Sequence, residues 1–121
     1  MRIFYIEKLD NRLILQAINE IAEHIGFSIY NPISLGLVCL NYEIEYDEQD
    51  KLFLEFHKIL NEKSFDDLDF EIFKKCINKV CPKSKDFADI VIASIIIAFA
   101  KCRISELLPF TEDLIEDFIK E

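Results

Sequence analysis

Apolar positions along this chain recur mostly at three- and four-residue steps, the period of helices. Leu9, Leu13, Ala17, Ile18, Ile21, Ala22 and Ile25 trace one face of an amphipathic first helix. "HIGF" closes it, with His24 in the last turn and Gly26 able to take the left-handed conformation that ends a helix. The preceding "RIFYI", residues 2–6, reads as an arm, an extra helical turn or a short strand, and a strand would need a partner. A second helix is expected in "NPISLGLVCLNYEIEY", residues 31–46, with Asn31 as cap and Pro32 at the first helical position, where its missing N–H costs nothing. Ile33, Leu37, Leu40 and Ile44 then share a face. The end of this segment reads two ways, because Leu40, Tyr42, Ile44 and Tyr46 also alternate with polar Asn41, Glu43 and Glu45 as in a half-buried strand. The expectation is helix to about residue 43, followed by an extended or irregular piece.

The third helix carries the clearest stripe. Leu52, Phe53, Phe56, Ile59 and Leu60 lie opposite Lys51, Glu55, Lys58 and Glu62, and Asp47 is its expected cap. A fourth opens with "SFDDLDFE", whose acids suit the positive end of a helix dipole, buries Phe70, Phe73, Ile77 and Val80, and stops at Pro82. The fifth is expected from about Lys85 to Arg103 with Ser84 as cap. A short sixth, "PFTEDLIEDFIK", would be capped by Thr111 and turn Leu114, Ile115, Phe118 and Ile119 inward. Between Asp89 and Lys101 the fifth helix has eleven residues without a charge, apolar nearly all round, as befits a helix enclosed by others. Asp89 itself is either a first-turn partner of the dipole or a carboxylate at the edge of the core. The predicted fold is therefore all-α: one domain, residues 1–121, an irregular or orthogonal bundle of about six helices around a buried central helix near 85–103.

Composition narrows the function classes. Eleven Phe and a 51% hydrophobic share supply a substantial core, while two Gly and three Pro leave little room for the turns of an all-β fold. The uncharged run is too short for a membrane span, which needs about 20 apolar residues. Glu7, Lys8 and Asp10 stand where a signal peptide would be apolar. The expectation is a cytoplasmic protein with no membrane association, whose four cysteines remain thiols. A net charge of −9 repels phosphate backbones, so direct nucleic-acid binding is not expected and a basic protein partner is. The lysines at 74, 75, 79, 83 and 85 read as an ordinary polar face or an internal counterweight to the acids.

The sequence carries none of the usual catalytic or metal-binding patterns. Two isolated glycines make neither glycine-rich phosphate loop, and Cys76 and Cys81, five apart, match no usual zinc spacing. Glu20 lies four residues before His24, whereas the di-iron helix motif needs Glu three before His. His57 reads as a partly exposed helical residue, and no Ser, Thr or Cys nucleophile stands near a His–acid pair. The chain is thus expected to be no enzyme and to need no metal or cofactor. What remains are acidic clusters. Those at residues 62–71 and at the C-terminus are accounted for by helix N-termini and solvated faces. "YEIEYDEQD", residues 42–50, is richer than a cap requires: Glu43, Glu45, Asp47, Glu48 and Asp50 are interleaved with Tyr42 and Tyr46. Tyr couples apolar area to a hydrogen-bonding tip, and carboxylates beside it suit a cationic surface. These seven residues are the candidate partner-binding site.

In size, acidity and helicity, with this Tyr–acid stretch as the local echo, the chain resembles the small immunity proteins of bacterial toxin–immunity pairs, including those of contact-dependent growth inhibition and the colicin nucleases. The resemblance implies a partner that is a basic toxin domain, often a nuclease, bound at or near its active site, with no chemistry on this chain. The Tyr side chains would be anchors and the carboxylates would supply charge. The alternative, from the slightly positive mean hydropathy of so charged a chain, is a structural or regulatory subunit of a larger assembly.

Overall fold

A computed structural model of the chain describes residues 10–119. It is all-α. Among the described residues six helices follow in order: α1 Asn11–His24, α2 Leu35–Asn41, α3 Tyr46–Glu62, α4 Phe70–Val80, α5 Asp89–Cys102 and α6 Leu108–Ile119, with short 3-10 turns at Phe65–Asp67, Pro82–Asp86 and Ser105–Leu107.

α5 is the axis. Every residue from Ile92 to Ala100 is buried, and α2, α4 and α6 all pack against it. Ala93, Ala98 and Ala100 let the neighbours approach, and the isoleucines fill the space between them. Around this helix runs a chain of aromatic contacts. Phe56 of α3 meets Phe73 of α4 at 5.1 Å and Phe99 of α5 at 4.9 Å, both near edge-to-face, and Phe73 continues to Phe110 of α6 at 5.0 Å. Asp89 is the first residue of α5, solvent-facing, with its carboxylate 2.9 Å from Lys74 Nζ, so it serves the dipole and ties α4 to the axis. Among the described residues no helix is long and apolar enough to cross a membrane.

Several helix starts differ from the sequence expectation, and at two of them the expected cap, Asn31 or Ser84, bonds another group instead. Asn31 does not cap α2. Its amide donates to the Gly26 carbonyl at 2.9 Å and its side-chain oxygen accepts from Lys101 Nζ at 2.8 Å, in a loop closed by a Ser28–Asn31 bridge. Ser34 is the cap, its Oγ accepting from the Leu37 N–H at 3.1 Å, and the Cys102 thiol accepts from the Leu35 N–H at 3.4 Å. Asp69 caps α4 through the Ile72 N–H at 2.9 Å. Ser84 caps nothing: it is buried in the 3-10 turn after Pro82 and donates to Asn78 at 2.6 Å, so α5 starts at Asp89 and not near Lys85. Thr111 lies inside α6, its buried hydroxyl donating to the Leu108 carbonyl at 2.8 Å. The segment at residues 2–6 and Leu9 lie outside the described residues.

α1 differs most. Ala22 is its one buried residue, and Leu13, Ile18, Ile21 and Ile25, predicted to face the core, are exposed. The helix is held at its edge by a reciprocal amide pair, Asn19 with Asn41 of α2, at 2.9 Å in each direction.

Candidate protein-binding surface

The seven candidate residues occupy the joint between α2 and α3. α2 stops at Asn41, and the alternation from Leu40 to Tyr46 is a helix end followed by a turn. Tyr42 is its C-cap, donating its N–H to the Val38 carbonyl at 3.1 Å, and its half-buried ring rests against Phe87 at 5.6 Å. The next residue, Glu43, is the one non-glycine at positive φ among the described residues, at 58°. Its conformation lets the Ile44 N–H reach the Cys39 carbonyl at 2.9 Å and sends the Ile44 side chain into the core. This is a Schellman closure, with the left-handed residue just beyond the cap. α1 ends in the same way, Phe27 N–H reaching the Ala22 carbonyl at 2.9 Å, but there Gly26 takes the left-handed position at φ 104°. Lys83 from the turn after α4 donates to the Glu43 carbonyl and stabilises the strained residue.

α3 then opens at Tyr46. Glu45, not Asp47, is its N-cap, and Glu48 reaches back to accept from the Glu45 N–H at 2.9 Å. Asp47 stands in the first turn, where the dipole favours it. Two of the candidate acids have partners within the fold. Glu48 lies 3.7 Å from Lys83 Nζ, and Asp50 lies 3.2 Å from Arg103 Nη1. The same nitrogen donates to Gln49, and the guanidinium rests 4.0 Å over the Phe53 ring. What faces solvent is a smaller group: Glu43, Glu45 and Asp47 around Tyr46, which is 73% exposed. Beside Tyr46 a shallow groove of about 270 Å³ is lined by Gly36, Cys39, Leu40, Ile44 and Gln49. Leu40, which at helical spacing shares a face with Leu37 and Ile44, is exposed at this groove while those two are buried. The lysine stripe is in part the counterweight expected, through Lys74 with Asp89 and Lys83 with Glu48.

The other acids are locally engaged or scattered. Asp67 accepts from Ser64 Oγ at 2.9 Å and Asp69 caps α4. His57 sits edge-on to Phe53 at 4.6 Å on the rim of a groove with Lys51, Lys58 and Lys79, and His24 is exposed near Glu20 and Glu23. Burial pushes the thiols of Cys39, Cys76 and Cys81 up, the reverse of what activates a nucleophile. Among the described residues no group of three His, Cys, Asp or Glu is placed to hold a metal ion. Compared with protein-family models, curated proteins and solved structures, the chain matches none.

Glu43 offers a direct measurement of how much strain the turn holds. Glu43→Gly relieves the left-handed penalty and is expected to raise the unfolding free energy by about 0.5–1 kcal/mol in urea titrations. A lower stability in the variant would mean that the carboxylate, not the backbone, is what the turn needs.

Proposed function

We propose that the chain is a non-enzymatic binding protein, an immunity protein or antitoxin that neutralises a basic toxin domain by covering it at or near its active site. The observation that carries this reading is Glu43. A residue with a Cβ held at φ 58°, where the equivalent closure of α1 uses glycine, costs stability and places a carboxylate beside an exposed tyrosine. Strain of this kind persists where a site needs it. Glu43, Glu45 and Asp47 would meet the cationic cleft in place of phosphates, and Tyr46 would be the anchor, its ring supplying apolar area and its hydroxyl a hydrogen bond. Tyr42, Glu48 and Asp50, engaged within the fold, would shape the turn more than touch the partner.

The test uses the product of the neighbouring gene as the partner. Binding is expected to weaken as salt rises, and the triple reversal Glu43→Lys, Glu45→Lys and Asp47→Lys to weaken it on the order of 100-fold while the helical circular dichroism is unchanged. Affinity indifferent to both salt and the reversal would rule the acidic turn out as the interface. A second reading, a subunit of a larger assembly, is favoured by one observation, the exposed apolar face of α1.

A further inference from the structure

We infer that the groove beside Tyr46 receives one apolar side chain of the partner, aromatic or long and aliphatic, with lysine or arginine on either side of it. The inference rests on the reading of the acidic turn as an interface for a basic protein, and it narrows what that protein must present. Cys39 and Ile44, each 6% exposed, make the floor of the groove, and the exposed Leu40 and Tyr46 make its walls. Gln49 bounds it with a carboxamide held at both ends, Nε2 donating to Cys39 Sγ at 3.3 Å and Oε1 accepting from Arg103 at 3.1 Å. The groove is therefore shaped before anything binds, which spares an ordering cost. Its volume, about 270 Å³, falls below the range of about 300–1,000 Å³ usual for small-molecule sites and suits a single side chain.

Gly36 distinguishes this groove from an accidental hollow. The chain has two glycines, and the fold needs Gly26, at φ 104°. Gly36 lies in the first turn of α2 and has no positive φ, and a Cβ there would meet nothing nearer than Ser34 Oγ at 3.9 Å, an ordinary contact. Nothing in the described fold asks for glycine at this position, although glycine in a helix costs stability relative to alanine. Position 36 stands one turn before Leu40 on the same face of α2, so a longer side chain would extend into the groove. Its absence keeps that end open. The surrounding charge selects what enters. Glu43, Glu45 and Asp47, all exposed, alternate along the chain with Ile44 and Tyr46 of the groove. A neutral apolar occupant would desolvate those carboxylates without compensation, and an anionic one would be repelled. An apolar side chain between cations satisfies both the groove and its rim.

The test titrates the isotope-labelled full chain with short peptides and follows its backbone amides by NMR. A peptide with phenylalanine between pairs of lysines is expected to bind at least ~5-fold more tightly than its counterpart with alanine in the middle. The phenylalanine peptide should move the amides of Gly36, Leu40, Ile44 and Tyr46, and the alanine peptide only those of the turn from Glu43 to Asp47. Gly36→Leu is expected to bring the two affinities within about twofold of each other without lowering the urea midpoint, since it fills the groove and removes a helix glycine. Lysine peptides that bind equally well, and only at the turn, overturn the groove and leave the acidic turn standing as a cationic-partner surface. If neither peptide moves the turn at millimolar concentration, the acidic turn fails as such a surface and the groove falls with it. A phenylalanine preference that survives Gly36→Leu overturns the placement, and equal binding of a phenylalanine between glutamates overturns the need for flanking cations. Shifts of the same amides when the chain alone is concentrated would give the groove to a second copy, and would overturn the proposal too.

Discussion

Phe56→Ala is expected to lower the unfolding free energy by about 3–5 kcal/mol, a third or more of the stability of an ordinary domain of this size. Phe56 is fully buried where α3, α4 and α5 meet, with Phe73 and Phe99 against it edge-on. Truncation removes the transfer energy of the ring and two aromatic contacts worth about 0.5–1.5 kcal/mol each. It also leaves a cavity that the surroundings cannot close, because the wall behind it is α5, packed on every side. Urea unfolding checks this, with the midpoint shifted and the dependence on denaturant unchanged. Phe65→Ala is the internal comparison: the same atoms are removed from an exposed ring, and the loss should stay within about 0.5 kcal/mol. A loss at Phe56 no larger than that would mean the aromatic chain is not where the fold is held together.

The same positions show how much of the fold could be read from residue order. Phe56, Phe73, Ile77 and the run from Ile92 to Ala100 sit where periodicity alone placed them, because an apolar stripe bounded by charges has one energetically acceptable orientation. Helix starts were less legible. A cap is chosen by whichever short polar side chain is free to turn back onto its own backbone. Asn31 and Ser84 fit that description locally, but each bonds another group instead, Asn31 the Gly26 carbonyl and Lys101, Ser84 the Asn78 side chain of the preceding helix. α1 is the opposite case. Its stripe was read correctly as apolar and wrongly as core, since periodicity reports that a face avoids water and says nothing of what it is pressed against.

The candidate surface divides along similar lines. That carboxylates of residues 42–50 reach solvent followed from composition, because five of them with no base among them cannot all be buried; that the segment is a helix end, a left-handed turn and the first residues of α3 did not. Which of them stay in solvent did not follow. Glu48 and Asp50 are drawn inward by Lys83 and Arg103, residues 35 and 53 positions away, and no local pattern announces either pairing. The left-handed Glu43 was equally hidden, since glycine is the sequence signal for that conformation and here it is missing.

Buried thiols give the second large effect. Burial, with the Glu48 carboxylate adding to it, pushes the Cys81 thiol up from an ordinary 9.0 to about 12. Burial also lifts Cys76 to about 11, with Glu55 contributing. The folded chain therefore holds these protons more tightly than the unfolded chain does. Stability is unaffected by them below about pH 9, where both states are protonated. Above it the unfolded thiols ionise first, and each thiol lowers the unfolding free energy by up to about 1.4 kcal/mol per pH unit until the folded pKa is reached. The expected loss is roughly 2–4 kcal/mol between pH 9 and 11. Tyr and Lys titrate over the same range, so the discriminating measurement is a difference. Cys81→Ala should be less stable than the natural chain at pH 7, through lost packing in the core, yet its stability should fall less steeply with pH, so that the two urea-derived curves converge by about pH 11. Parallel curves would mean that the Cys81 proton is lost as readily in the fold as out of it. That would also place water at the joint where Cys81, Glu48 and Lys83 sit behind the acidic turn, and the turn would then be a looser structure than its hydrogen bonds describe.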